Sequence, residues 1–492
     1  MTLNVLTRGL AAALCFPLAA TAQGTPTLAP ATLSVEQAVD LAVANNPQLR
    51  QSLNARRSAA AATRTARGQL LPNLSSSAGM SWREGRQQVF GGVGIGANAN
   101  TVGSNAGVNA SLNYGLDVLL QPKSARFTER AVEAEADAAA QQLRSVVTQQ
   151  YLVALQAQAR SVLQDTLQES ARLSVDLARA RSAAGTATAL DVQRAEVALG
   201  QQRVQVVQAR NTLAIEKLRL FENLGVTPPA DVALTSTFAV SALNTPVTDL
   251  IEMAAKGNPN VAARREREEA AAVNQRIAKA QYLPQLSLSA GYGGFTNSFT
   301  DNNFPASQLL ASKQGSCFSR GSVLSIVGQP FDPATCAGIT LSASESAAAR
   351  STNTAFPFGL TRNPYNVSAQ LSLPLFNGWQ REQRVAEAAV ARDNAKQAVR
   401  QQELAAQQAV RVAYLNLDAA SQTAAIQEQN GALARQALLL SETRYRVGQA
   451  TFLDVANARA DFSRAENDRI TAVYDFHRAF AALEQAVGRR LR

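Results

Sequence analysis

Apolar residues recur along this chain with two different periods. Long stretches show the helical spacing of about 3.6 residues, whereas four short stretches have apolar residues at every second position. The period changes at Pro72 and at Pro284, because a proline lacks a backbone N–H and clashes with the preceding helical turn. We therefore predict a helix ending near each proline, followed by a strand with one apolar face.

The four predicted strands form two pairs, residues 73–82 with 107–118 and residues 285–294 with 365–376. Mostly Ser, Asn, Gln and Gly separate their apolar positions, so one face suits lipid and the other water, as in membrane barrels. Four strands cannot close a barrel, and open edges in lipid leave backbone groups unpaired, so the chain must oligomerise. Because small membrane barrels start at about eight strands, a dimer is the minimum and a trimer would have twelve.

The other predicted helices are unusually long. From about Lys123 to Ala184 and from Arg381 to Val447 the helical pattern continues for roughly 60 residues, or about 90 Å at 1.5 Å per residue. Its apolar spacing suits packing against neighbouring helices. A hollow helical wall and a solid coiled coil both fit this pattern, and the amphipathic strands favour the hollow wall.

An internal repeat organises the chain. Asn46-Pro47 recurs as Asn258-Pro259, and Gly185 to Val192 recurs as Gly448 to Val455. Such duplication indicates two copies of one structural unit. The predicted parts are a first repeat (23–226) with a helix (33–71), two strands (73–82, 107–118) and a helical hairpin (123–224), a linker (227–246), and a second repeat (247–492) with a helix (247–282), two strands (285–294, 365–376) and a helical hairpin (381–488).

Residues 1–22 are predicted to be a signal peptide. Arg8 precedes an apolar run from Leu10 to Ala20, and Ala20-Thr21-Ala22 forms a small-x-small cleavage site. After this segment no run of about 18 apolar residues occurs, which excludes ordinary transmembrane helices. Membrane insertion must therefore use strands.

Charge and composition exclude other classes of function. The net charge is +10, but the basic residues are spread along predicted helices without a block interleaved with aromatics, so we expect no nucleic-acid partner. The single histidine, His477, lies in no metal-binding or catalytic motif. We predict no enzymatic activity, no cofactor and no metal.

Cys317 and Cys336 remain after the predicted signal peptide is removed. An even pair in an exported protein favours a disulfide, with two unpaired thiols as the alternative. Both cysteines lie in a long segment, about 295–363, between the strands of the second repeat. Since the signal peptide and the helices place the rest of the chain on one side of the barrel, we expect this segment to be extracellular.

The tips of the two predicted hairpins repeat one set of residues. Gly185 and Gly448 permit the positive φ with which one helix ends before the next begins. A capping-box spacing follows each glycine, with Thr188 before Asp191 and Thr451 before Asp454. The simplest interpretation is that both aspartates only cap helices.

The chain resembles the TolC family of outer-membrane efflux proteins over essentially the whole mature sequence. The resemblance is carried by the paired Asn-Pro, the Leu-Pro-x-Leu junctions at Pro72 and Pro284, the run Leu371 to Gly378, and Tyr445-Arg446-Val447-Gly448 before Leu453-Asp454-Val455. It implies a homotrimer in the outer membrane of a Gram-negative bacterium, with a twelve-stranded β-barrel in lipid on a periplasmic α-helical tunnel. It also implies an exit duct of a tripartite efflux or type I secretion system, with a periplasmic adaptor and an inner-membrane transporter as partners.

In a protein of this family the hairpin tips form the periplasmic entrance. The resemblance places Asp454 and Asn457 where acidic gate residues occur, although Asn457 is not acidic, and Asp461 continues their helix face. The predicted gate residues are Asp454, Asn457, Asp461, Asp191, Tyr445 and Arg446, and the predicted adaptor-docking residues are Gly185, Thr186, Val447 and Gly448.

A trimeric, barrel-anchored surface stalk or adhesin is the alternative function. A stalk usually carries one C-terminal set of strands, whereas here each repeat has its strands between helices. This arrangement favours the duct.

Overall fold

The computed structural model describes residues 32–85, 88–90, 93–95, 99–229, 232–236, 238 and 245–491, so the predicted signal peptide lies outside the described residues. The fold is mainly helical, as predicted. The helices are α1 (Val35–Asn45), α2 (Pro47–Gly68), α3 (Leu116–Ala183), α4 (Ala189–Leu224), α5 (Val247–Gly257), α6 (Pro259–Ala280), α7 (Phe304–Ile326), α8 (Pro333–Ala337), α9 (Ala343–Ser351), α10 (Gln380–Arg446) and α11 (Phe452–Val487).

The strands are mostly short outside one sheet. They are β1 (Thr32–Leu33), β2 (Asn73–Arg83), β3 (Gln88–Phe90), β4 (Val93–Ile95), β5 (Thr101–Tyr114), β6 (Ala233–Leu234), β7 (Gln285–Phe299), β8 (Thr361–Arg362) and β9 (Asn366–Ser372). None of the helices that the structure describes combines the length and the apolar character that a membrane span requires.

The chain forms two compact units that do not coincide with the two sequence repeats. Among the described residues, unit 1 contains the segment up to residue 58, residues 130–267 and the segment from 396 onward, and unit 2 contains residues 59–129 and 268–395. Each unit is therefore built from parts of both repeats.

Each helix that was predicted to precede a strand pair is two helices in the structure. The predicted helix 33–71 divides at Asn46 into α1 and α2, because the residue before a proline disfavours the helical conformation. The Asn46 side chain accepts a hydrogen bond from the Gln48 backbone N–H (2.9 Å) at the start of α2. Asn258 divides the predicted helix 247–282 in the same way.

The four long strands form one antiparallel sheet in unit 2 in the order β2-β5-β7-β9, and β8 also pairs with β7. Asn73 lies opposite Ser111, Thr101 opposite Phe299, and Gln285 opposite Ser372. The two strand pairs of the repeats are thus joined edge to edge through β5 and β7.

The strand boundaries differ from the predicted ones. β5 ends at Tyr114 rather than at residue 118, because α3 already begins at Leu116. This start is seven residues before the predicted one, and the first turns of α3 therefore include Pro122. β7 extends to Phe299 because its residues from Leu286 to Phe299 pair with β5. β9 ends at Ser372, close to Pro374, which has no N–H to donate to a neighbouring strand.

Two segments that were predicted as connections contain structure. The predicted linker 227–246 includes β6, which pairs in parallel with β1 (Thr32 opposite Ala233). The predicted loop 295–363 contains α7, α8 and α9.

Unit 1 is held together by separate apolar clusters rather than one core. One cluster joins α1, α3 and α4, where the Tyr151 hydroxyl donates to the Leu33 carbonyl (2.7 Å). A second joins α5, α10 and α11 around Leu250, Val410 and Phe476. A third lies at the hairpin tips.

Candidate functional site

Both hairpin tips reverse the chain with the same backbone geometry. Gly185 has φ +73° and Gly448 has φ +81°, a region that favours glycine because it has no Cβ. Behind each glycine the turn is closed by a backbone hydrogen bond, from Thr186 N–H to the Arg181 carbonyl (2.9 Å) and from Gln449 N–H to the Arg444 carbonyl (2.9 Å).

A capping box starts the returning helix at each tip, as the spacing predicts. Thr451 donates to the Asp454 carboxylate from its backbone N–H (2.8 Å) and from its hydroxyl (2.7 Å), and the Asp454 N–H donates to the Thr451 hydroxyl oxygen (3.3 Å). The two bonds to the carboxylate, led by the one from the Thr451 backbone, lower the pKa of Asp454. Thr188 does the same for Asp191, whose pKa is lowered first by the Thr188 hydroxyl.

The side chains behind the second tip are buried in an apolar cluster that draws on all four long helices. We call it the tip cluster, and its buried members are Val175, Ala178, Ala195, Tyr445, Phe452 and Val455. The rings of Tyr445 and Phe452 meet edge to face, with centroids 6.3 Å apart. The tip cluster therefore packs the two hairpins against each other.

Tyr445 is the largest side chain of the tip cluster, and it is only 6% exposed. Burial raises the pKa of its hydroxyl. Among the described residues the hydroxyl has no hydrogen-bond partner. Tyr445 thus contributes through apolar packing rather than through its hydroxyl.

Arg181, which the sequence did not point out, links the first hairpin to the second. Its guanidinium lies 4.6 Å from the centre of the Tyr445 ring, and its Nη1 donates a hydrogen bond to the Tyr445 carbonyl. Its Nη2 also donates to the carbonyl of Thr186 (3.4 Å) in its own tip. One side chain therefore connects both turns.

A second arginine that sequence reasoning missed lies one turn further into the hairpins. Arg459 of α11 donates through Nη2 to the Ser174 hydroxyl of α3 (2.6 Å) and to Glu442 of α10 (3.2 Å). This contact ties three helices together behind the tip cluster.

Four other predicted gate residues are exposed on the single chain, and Asp191 is half-buried. Asp454, Asn457 and Asp461 are exposed and lie at positions i, i+3 and i+7 of α11, hence on one helix face. Asp461 Oδ1 lies 3.7 Å from Arg464 Nη1, so the two side chains form an ion pair. Arg446 is exposed, and the cation that contacts Tyr445 is Arg181.

The predicted docking residues form the outer rim of the two tips. Gly185, Thr186, Val447 and Gly448 are all exposed. Leu190 and Leu453, one residue before each capping aspartate, are also more than half exposed, which sequence reasoning did not anticipate. Among the described residues no group of three or more His, Cys, Asp or Glu side chains is arranged to hold a metal ion.

The sequence matches the model of one protein family, described as outer membrane efflux protein. The match covers residues 38–226 and 338–489, which is more than half of the chain. It includes both hairpin tips and excludes residues 227–337.

One similar curated protein is the fusaric acid resistance protein FusA of Burkholderia cepacia. It is 31% identical over 273 residues, which are 53% of this chain and 50% of that protein, so the chain spans about half the length of this relative.

Solved structures share the fold at low sequence identity. The CmeC outer membrane channel of Campylobacter jejuni superposes with a TM-score of 0.69 at 16% identity, over 92% of this chain and 85% of that chain. The MtrE outer membrane channel of Neisseria gonorrhoeae superposes with a TM-score of 0.66 at 18% identity, over 93% and 89%.

Proposed function

This chain belongs to the outer membrane efflux protein family, the TolC family, and from this premise we propose that three copies form an exit duct in the outer membrane of a Gram-negative bacterium. The duct receives substrates from a periplasmic adaptor and an inner-membrane transporter and releases them outside the cell. Its walls are a twelve-stranded barrel in lipid and an α-helical tunnel in the periplasm.

The sheet of unit 2 is the observation that carries this proposal. Within the described part of the chain β2 pairs only with β5, and β9 pairs with β7, so both outer edges are open. Large apolar side chains are exposed on these edge strands, among them Met80, Trp82, Val367 and Leu371. An open sheet of this kind is stable in lipid only when its edges are paired by other copies.

The number of strands favours three copies over two. Two copies would make eight strands, and the interior of an eight-stranded barrel is just filled by its own side chains. Three copies make twelve strands, which leaves a wider interior for transport.

Exposed rows of apolar side chains on α4 and α10, which we call stripes, support the assembly of several copies of unit 1 into a ring. On α4 the exposed apolar residues Leu190, Val197, Val204 and Leu218 are separated by seven residues or by a multiple of seven. The same spacing holds for Val412, Ile426, Leu433, Leu440 and Val447 in α10 and directly after it.

Apolar heptads of this kind mark a helix that packs against another helix. The two stripes lie on different helices, so a contact between α4 of one copy and α10 of the next joins two different surfaces. Contacts of this kind form a ring when the rotation between copies closes, as the proposed three-fold assembly requires.

The hairpin tips are proposed as the periplasmic gate of this duct. Asp454, Asn457 and Asp461 share an exposed face of α11, which in the ring would line the lumen. The proposed gate also includes three residues that hold the tips in place or flank them, namely Asp191, Tyr445 and Arg446.

The rim of the tips is proposed as the adaptor-docking surface. Gly185, Thr186, Val447 and Gly448 are exposed there, and the apolar side chains of Leu190 and Leu453 extend the same surface. A surface stalk has no need of a gate and a docking rim at the ends of two helical hairpins.

The mass of the detergent-extracted protein tests the assembly. Light scattering should give three chains, and the same sample should conduct ions in planar lipid bilayers. A Leu433→Glu variant places a charge in the α10 stripe and should yield single chains, whereas Asn457→Glu adds the same charge to α11 and should remain trimeric. A stable wild-type monomer without conductance would refute the duct.

A further inference from the structure

A folded insertion extends from the sheet of unit 2 between β7 and β8. It comprises residues 300–360 and contains α7, α8 and α9. Residues 300–337 lie outside the match to the family model. The match therefore does not account for residues 300–337, which make up more than half of this insertion.

Several contacts make the insertion a compact module. Cys317 of α7 and Cys336 of α8 form a disulfide with their Cα atoms 5.5 Å apart, and Cys336 is fully buried. Lys313 pairs with Glu345 of α9, and this contact, with the Ser342 cap, lowers the pKa of Glu345 to about 2. The carboxylate therefore stays ionised at neutral pH.

The base of the insertion is clamped to the end of β7. The buried Asn353 side chain accepts a hydrogen bond from the Phe299 N–H (2.5 Å) and donates to the Phe299 carbonyl (2.8 Å) and to Asn302 (2.8 Å). The Phe299 and Phe304 rings also contact each other, with centroids 4.7 Å apart. The direction in which α7 leaves the sheet is thus defined by contacts at its base.

The far end of α7 is apolar and uncovered. We call it the α7 tip, and its exposed members are Phe318, Val323, Leu324, Ile326 and Val327. Ile326 is 83% exposed and Val327 is 70% exposed. Several large apolar side chains exposed close together in the sequence, as here, indicate an interaction surface.

The position and charge of the insertion favour a second copy of this chain as the partner. β7 begins just after α6 and ends at the insertion, so the insertion lies at the strand ends opposite the long helices. Between residues 300 and 360 there are three acidic and three basic side chains, so copies of the insertion do not repel each other through net charge.

The length of α7 is sufficient for copies to meet. Its 23 residues span about 34 Å at 1.5 Å per residue. Twelve strands about 4.8 Å apart and tilted by about 40° enclose a barrel with a radius of roughly 12 Å. An α7 helix that starts at the rim can therefore reach the barrel axis.

We infer that the α7 tips of three copies pack on one another over the outer mouth of the barrel and form a lid. The inference rests on the proposed trimeric duct. It adds an outer constriction, made by the insertion, that is separate from the gate at the hairpin tips.

Cross-linking in the full-length trimer tests the lid. The two native cysteines of the insertion are joined in the disulfide, so Ile326→Cys adds a thiol at the α7 tip. A short bismaleimide should link Ile326→Cys chains into dimers several-fold more efficiently than it links Gln308→Cys chains, in which the thiol is exposed near the base of α7. Ile326→Asp should raise the single-channel conductance, while Gln308→Asp should not.

The outcomes separate this inference from the proposed function. A sample that is trimeric and conducts, but shows no Ile326→Cys cross-links above the Gln308→Cys level, overturns the lid and leaves the duct intact. Photo-cross-linking of the α7 tip to lipid or to another protein instead of a second copy also overturns it. A monomeric sample without conductance refutes the duct itself.

Discussion

The tips of the two helical hairpins have the same backbone but different side chains. Residues of the second tip follow those of the first at an offset of 263 positions, since 448 − 185 = 263. The duplicated pairs are Gly185 with Gly448, Thr188 with Thr451, and Asp191 with Asp454, and each pair has the same role in its turn.

The side chains that hold the two tips together occur only once. We call the contact of Tyr445 with Arg181 the tip lock. Where the second tip has the buried Tyr445 and Phe452, the first has Ser182 and Ala189 at the same offset. Arg181 bonds to the second tip, whereas its duplicate Arg444 is exposed. The turn geometry occurs in both repeats because it depends only on residues a few positions apart. The tip lock occurs once because it needs one residue from each hairpin.

The largest effect on the stability of the tips is expected from removing Tyr445, the aromatic residue of the tip lock. Tyr445→Ala should destabilise the tips by about 3 kcal/mol, because it leaves a cavity in the tip cluster. Amide hydrogen exchange at the tips should accelerate by roughly two orders of magnitude, and the conductance in planar bilayers should rise.

Tyr445→Phe is the matched control, since the hydroxyl makes no hydrogen bond among the described residues. It should leave both readouts close to wild type. If Tyr445→Phe were as damaging as Tyr445→Ala, the hydroxyl rather than the packing would hold the tip.

A smaller effect on the stability of the tips is expected from removing Arg181, the cationic residue of the tip lock. Arg181→Ala removes the contact with the Tyr445 ring and the bond to its carbonyl, together worth about 1–2 kcal/mol. Tip exchange and conductance should rise less than in Tyr445→Ala. The duplicate change Arg444→Ala should have no effect, and equal effects of the two substitutions would show that Arg181 has no special role.

The smallest effect on stability is expected from the capping aspartates, and Asp454 should act mainly on conduction. Asp454→Ala should weaken block by multivalent cations, because Asp454 lines the lumen in the proposed gate, and Asp191→Ala should weaken it less. Unchanged conductance and block in Asp454→Ala would restrict this residue to capping.

The pH dependence of the block sharpens this test. The pKa of Asp454 is lowered first by the hydrogen bond from the Thr451 backbone N–H and then by the bond from the Thr451 hydroxyl, and Thr451→Ala removes only the second. A carboxylate with a lowered pKa keeps its charge, and the stability that comes with it, until the pH falls through that lowered value. Cation block and tip stability should therefore persist to a more acidic pH in the wild type than in Thr451→Ala.

Much of the fold could be predicted from the sequence, and less of the site. Periodicity indicates the long helices and the strands, and Pro72 and Pro284 mark where one gives way to the other. The breaks at Asn46 and Asn258 were missed, although each precedes a proline and so carried a local signal. The capping boxes were predicted because their residues are three positions apart.

The arginines of the site could not be predicted. Arg181 contacts a residue 264 positions away, and Arg459 contacts one 285 positions away. Arg181 and Arg444 occupy equivalent positions in the two repeats, and the packing of the neighbouring helices decides which of them contacts the Tyr445 ring.

The sequence by itself determined the helices, the strands, the positive-φ turns and their caps, because these depend on backbone hydrogen bonds and on side chains a few residues apart. Only the tertiary structure decided that the two repeats combine into shared units, that the sheet has the order β2-β5-β7-β9, and that Arg181 rather than Arg444 lies on Tyr445. These features depend on the packing of distant segments, in which shape, burial and charge must be satisfied at the same time.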